Sequence, residues 1–96
     1  MNLNRVPVLE ADYYLERFDD EITVYHPTLT TAVYLNETGA LIWELCDGTR
    51  NIVEIIGLLE EAYPENRDRI QSGVVDIITQ LVEKKIATLA EQVADV

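Results

Sequence analysis

What this chain has little of narrows its function before any motif is read. It holds one cysteine, Cys46, which excludes an internal disulfide and a multi-cysteine zinc site. It has one histidine, His26, and four glycines that form no phosphate-cradling run. Basic residues are scarce: 7 Lys and Arg against 18 Asp and Glu leave a net charge of −11. A surface this acidic repels phosphate backbones and anionic lipid, so neither nucleic acid nor membrane is expected as a partner. No apolar run approaches the roughly 18 residues of a membrane span. The polar opening Met1-Asn2-Leu3-Asn4-Arg5 lacks the pattern of a secretory signal. The cytoplasm is the expected compartment.

What is present reads as one domain. The 96 residues are 48% apolar, enough for a core and too many for a disordered chain. Residues 1–12 carry Pro7 and little periodicity and read as an arm. Strand patterns fill 13–35. Tyr13 to Phe18 is aromatic-rich, and Asp19-Asp20 is a turn without the glycine of a strong hairpin signal. Glu21 to His26 puts Ile22, Val24 and His26 on one face, and Pro27 ends the run. Thr31 to Leu35 makes a third strand, which predicts an antiparallel meander.

From Asn36 the period changes to that of a helix, over residues 36–89. Asn36 is an N-cap with Glu37 in the first turn, and Asp47-Gly48 stops the helix. Asn51 with Glu54 three residues on spells a capping box. Ile52, Ile55, Ile56 and Leu59 then share a face until Tyr63-Pro64. The third helix is expected from Asn66 to about Lys85, followed by a short extended piece at Ile86–Leu89 and a frayed tail over 90–96. It carries two apolar stripes, Ile70, Val74, Ile77, Leu81 and Val75, Ile78, Val82, displaced by roughly 110°. Together they are wider than one packing partner requires.

Catalytic groupings are missing. His26 lacks partners for general-base work and reads as a surface or half-buried imidazole. Cys46 beside Leu45 reads as a small buried apolar side chain. Asp19-Asp20-Glu21 does not have the spacing of a calcium loop, and Glu60-Glu61 reads as a solvent face. No enzyme, cofactor or metal is expected. Trp43 lies away from the Leu41–Leu45 side, where it covers the core edge or meets a partner protein.

The stretch from Val33-Tyr34-Leu35-Asn36-Glu37 through Leu41-Ile42-Trp43 to Asp47-Gly48-Thr49-Arg50 resembles the PqqD family, with Pro27 upstream and Ala62-Tyr63-Pro64 downstream in matching order. Where the family commonly has a glycine after the third helix, this chain reads Glu83-Lys84-Lys85-Ile86. The resemblance implies an α+β, winged-helix-like fold, a three-stranded antiparallel sheet followed by three helices. It implies a recognition element that binds the leader of a ribosomally made precursor peptide and presents it to a modifying enzyme. That enzyme is often of the radical SAM type, as in pyrroloquinoline quinone biosynthesis. The leader would add as a strand beside Thr31, Ala32, Val33, Tyr34 and Leu35. Its side chains would dock on Val75, Ile78, Thr79 and Val82.

Strand addition needs an open sheet edge with pockets for alternate side chains, and a three-strand meander has two open edges. A winged-helix nucleic-acid binder is the competing reading, with Arg67 and Arg69 at the start of the third helix set against the net charge of −11. A self-associating structural subunit is another, because an open edge can accept a second copy and form a homodimer by strand exchange.

Overall fold

The computed structural model describes residues 1–91. Five strands and three helices follow one another as β1 (Val6–Leu9), β2 (Tyr14–Phe18), β3 (Glu21–Tyr25), β4 (Ala32–Leu35), α1 (Glu37–Leu45), α2 (Ile52–Ala62), α3 (Arg67–Glu83) and β5 (Ala87–Ala90). This is the expected α+β arrangement of an antiparallel meander and three helices, with one addition.

Strands β2, β3 and β4 pair antiparallel in that order, with Arg17, Ile22 and Leu35 in one row and Leu15, Val24 and Val33 in the next. Those rows face inward, and Ile22, Val24, Val33 and Leu35 are buried. The alternate residues face solvent, with Phe18 and Tyr34 72% and 73% exposed. The two-residue loop Asp19-Asp20 closes the first hairpin with Asp19 at φ 54°, the sign that tight hairpin turns demand.

The addition is a second sheet, in which β1 pairs antiparallel with β5. Residues 1–12 are thus not a free arm, and Ala90 belongs to a strand; the rest of the expected frayed tail, 92–96, lies outside the described residues. Glu10 N–H donates to the Ile86 carbonyl at 2.8 Å, which fixes the phase of the ladder. Pro7, facing Leu89 across the pair, therefore turns its missing N–H away from β5 and forfeits no ladder bond. Upstream, the carbonyls of Arg5 and Leu3 accept the N–H groups of Ile52 and Val53, two first-turn donors of α2 that have no partner within the helix.

The helix starts follow the sequence. Asn36 Oδ1 accepts the Gly39 N–H at 2.7 Å, and the capping box of Asn51 and Glu54 is complete. Gly39 lies in a close approach, where a Cβ would sit 3.2 Å from the Leu35 Cβ. A 3-10 turn at Pro64–Asn66 precedes α3, and Asn66 makes no side-chain cap. Ile42, Ile55, Leu59, Val74 and Ile78 form a helical core, while Val24, Val33, Ala40, Leu81 and Ile86 form one under the sheet. Leu9, Ile77 and Val82 pack against both.

Helix α3 ends in a reversal that the sequence conceals. Ile86 N–H bonds the Leu81 carbonyl and Lys85 N–H bonds the Val82 carbonyl, the two bonds of a Schellman motif. Lys85 sits at φ 63°, where glycine is the usual residue. A side chain there costs about 1 kcal/mol or more. Replacement Lys85→Gly is expected to raise the melting temperature by about 4 °C. Thermal denaturation followed by circular dichroism checks this; a fall would contradict the strain assigned to Lys85.

Candidate functional site

The phase of the β3–β4 ladder decides what the sheet offers to a partner. His26 N–H donates to the Thr31 carbonyl at 3.3 Å. By the alternation of antiparallel pairing, Thr31, Val33 and Leu35 turn their backbone groups toward β3. Ala32 and Tyr34 turn theirs outward, to an edge that no strand among the described residues covers. Val33 and Leu35 anchor this strand by burying their side chains in the core, whereas the Tyr34 ring stands in solvent. The other edge follows the same rule. On β2 the outward backbone groups belong to Leu15 and Arg17.

Of the α3 residues expected to form the docking face, Val75, Thr79 and Val82 are half-buried and Ile78 is fully enclosed in the helical core. Ile70, Val74, Ile78 and Leu81 are the buried positions of α3, and Ile77 is the half-buried one. Ile77 and Ile78 flank Val74 at about −60° and +40° on the helix, so projection places both beside the core and packing decides between them.

A groove of about 880 Å³ lies on the Ile77 side of α3, away from Val75 and Thr79. Its apolar lining includes Leu41 and Ile42 of α1, Leu59 of α2, and Ile70, Val74 and Ile77 of α3. Gly73 borders it, with open space where a side chain would stand. Arg17 bridges the rim, 3.0 Å from Glu37 and 3.8 Å from Glu44. Glu37, Leu41 and Glu44 share one flank of α1 at helical spacing, so that flank faces β2. Trp43 packs against the core under the sheet, and its buried Nε1 has no hydrogen-bond partner among the described residues. None of the groove was legible in the sequence except its apolar helix positions, because its rim joins residues from three separate elements.

Burial pushes the Cys46 thiol up to about 12, with the Asp47 charge adding to the effect, so the thiolate that reacts is scarce near neutrality. The Thr49 hydroxyl and N–H hold the Asp47 carboxyl below the usual carboxylate range, and Arg50 adds an ion pair at 2.9 Å. Among the described residues no group of three or more His, Cys, Asp or Glu is placed to hold a metal ion. No helix among them is long and apolar enough to cross a membrane.

A family model for the coenzyme PQQ synthesis protein D, PqqD, matches residues 21–87, from β3 to the first residue of β5. The chain belongs to the PqqD family. It is similar to a PqqA binding protein of Klebsiella pneumoniae strain 342, at 39% identity over 57 residues, 59% of this chain. A second PqqA binding protein of Klebsiella pneumoniae matches at 37% identity over the same length. The match spans 61% of the length of each of these relatives. Among solved structures, TbiB1 in complex with the TbiA(beta) leader peptide superposes with a TM-score of 0.66 at 23% identity, over 92% of this chain and 99% of that one. This last likeness is one of fold.

The ladder phase makes a prediction for the free PqqD-family chain. Amide hydrogens of Val33 and Leu35 are expected to exchange slowly with deuterium, and those of Ala32 and Tyr34 fast. Residue-resolved exchange by NMR reads this directly. Slow exchange at Ala32 and Tyr34 would show that their edge is already covered.

Proposed function

We propose that this chain is a non-catalytic adaptor that binds the leader of a ribosomally made precursor peptide by strand addition at β4 and presents it to a modifying enzyme of the radical SAM type. The observation that carries the reading is the outward row of backbone groups on Ala32 and Tyr34, on a strand whose Val33 and Leu35 side chains are buried in the core. Backbone pairing supplies affinity with little regard to sequence, and pockets beside the edge supply selectivity. Family membership supports the choice of a precursor peptide, and the Klebsiella relatives, described as binding PqqA, make PqqA the probe to use. Val75, Thr79 and Val82 are the α3 residues proposed to meet the leader's side chains, beside Thr31 to Leu35. Ile78 serves behind them as the support of that face.

The groove between α1 and α3 favours a second reading, in which the peptide pairs with β2 instead. Arg17 has its backbone groups on that edge and its guanidinium on the groove's rim. A single titration separates the two. Isotope-labelled protein is titrated with synthetic PqqA, and the Ala32 and Tyr34 amides are expected to shift. Shifts at Leu15 and Arg17 instead would move the site to β2, and no shift at either edge would contradict strand addition.

A proline at the free edge sharpens the test. Tyr34→Pro removes an N–H that the fold does not use, and is expected to weaken PqqA binding about tenfold in calorimetry while the protein stays folded. Val33→Pro removes a bond to β3 and is expected to unfold the sheet. Equal damage to the fold from both variants would refute the assigned phase.

A further inference from the structure

His26 follows β3, and its ring turns back over the loop that leads into β4. Its Nδ1 accepts the backbone N–H groups of Thr28 and Leu29, each at 3.1 Å, and the Thr28 hydroxyl lies 3.2 Å away. Tyr13 holds the ring in an edge-on contact, with centroids 5.2 Å apart. Two N–H donors aimed at one nitrogen require its lone pair, so Nδ1 is unprotonated and the hydrogen sits on Nε2. The same residue's backbone N–H bonds the Thr31 carbonyl. One histidine therefore both folds the loop and starts the β3–β4 ladder.

Resting on the reading of β4 as the peptide-accepting edge, we propose that neutral His26 is the positioning residue of that edge, and that protonating its ring releases the loop over 27–30 and weakens peptide binding. A proton on Nδ1 replaces an acceptor by a donor that faces two other donors. Only the Thr28 hydroxyl remains able to accept from it. No anion compensates, since among the described residues no carboxylate lies within 4.0 Å of the ring nitrogens. The titratable side chain in ring contact with the imidazole is the Tyr13 phenol, and a phenol gains no charge as the pH falls. Protonation thus frees two N–H groups to water at the point where β4 begins. A binding edge that is ordered in a smaller share of molecules binds more weakly in proportion.

The test compares wild type with His26→Asn, binding synthetic PqqA in calorimetry at about pH 7.5 and at about pH 5. Asparagine places Oδ1 near the position of Nδ1, accepts the same N–H groups and does not titrate. Wild type is expected to weaken roughly three- to tenfold in acid, and His26→Asn to hold its affinity at both pH values. Equal weakening of the two proteins, or an unchanged wild type, overturns the proposal. Protection of the Thr28 and Leu29 amides in peptide-free wild type is read in parallel, so a misfolded variant leaves the proposal open to refutation. It is expected to fall in acid, and unchanged protection overturns the role of the ring. Failure of PqqA to bind at about pH 7.5 counts against the adaptor reading, and the protection measurement then decides the loop's response alone.

Discussion

The ladder between β3 and β4 is the constraint on which the site depends. An antiparallel pair commits alternate residues to its partner and leaves the others to face away. Here the bond from His26 to Thr31 sets that alternation, so Val33 and Leu35 are spent on the fold while Ala32 and Tyr34 are not. The side chains divide in the same sense, with Val33 and Leu35 in the core and Tyr34 in solvent. The strand is held rigidly from one side and from below. Its remaining edge is paired with no strand among the described residues.

The rest of the molecule serves that arrangement. Ala40 of α1 and Leu81 of α3 lie under the sheet beside Val24 and Val33, so the helices fix the plane of the edge. Strand β1 closes on β5, and the residues before it cap α2, which ties the chain's start to its last described strand. A domain this small buries a limited share of its surface, and such long-range ties matter more in it than in a larger one. The net charge of −11 opposes pairing between copies of the chain.

Local signals were legible in the sequence. Asn36, the pair Asn51 and Glu54, and Asp47-Gly48 mark helix ends through side chains acting within three or four residues of themselves, and the structure shows each helix end there. Alternation in Glu21 to His26 gave the buried face of β3 for the same reason. Partners distant in sequence left no such mark. The pairing of β1 with β5 joins residues some eighty positions apart across a proline, and four-residue strands are too short for periodicity to show. The exchange of Ile77 and Ile78 between core and surface is a matter of which neighbour each meets, and a helical projection contains no neighbours. The Schellman end of α3 was hidden because Lys85 occupies the position that glycine would have announced.

Strand addition at β4 is most directly tested by isotope-filtered NOE spectroscopy on the complex of labelled protein with unlabelled PqqA. Contacts between peptide backbone protons and the amide and Hα protons of Ala32 and Tyr34, repeating at every second residue, are the predicted result. Peptide contacts that cluster on Leu15 and Arg17, or on helical side chains with no backbone contact to β4, would contradict it.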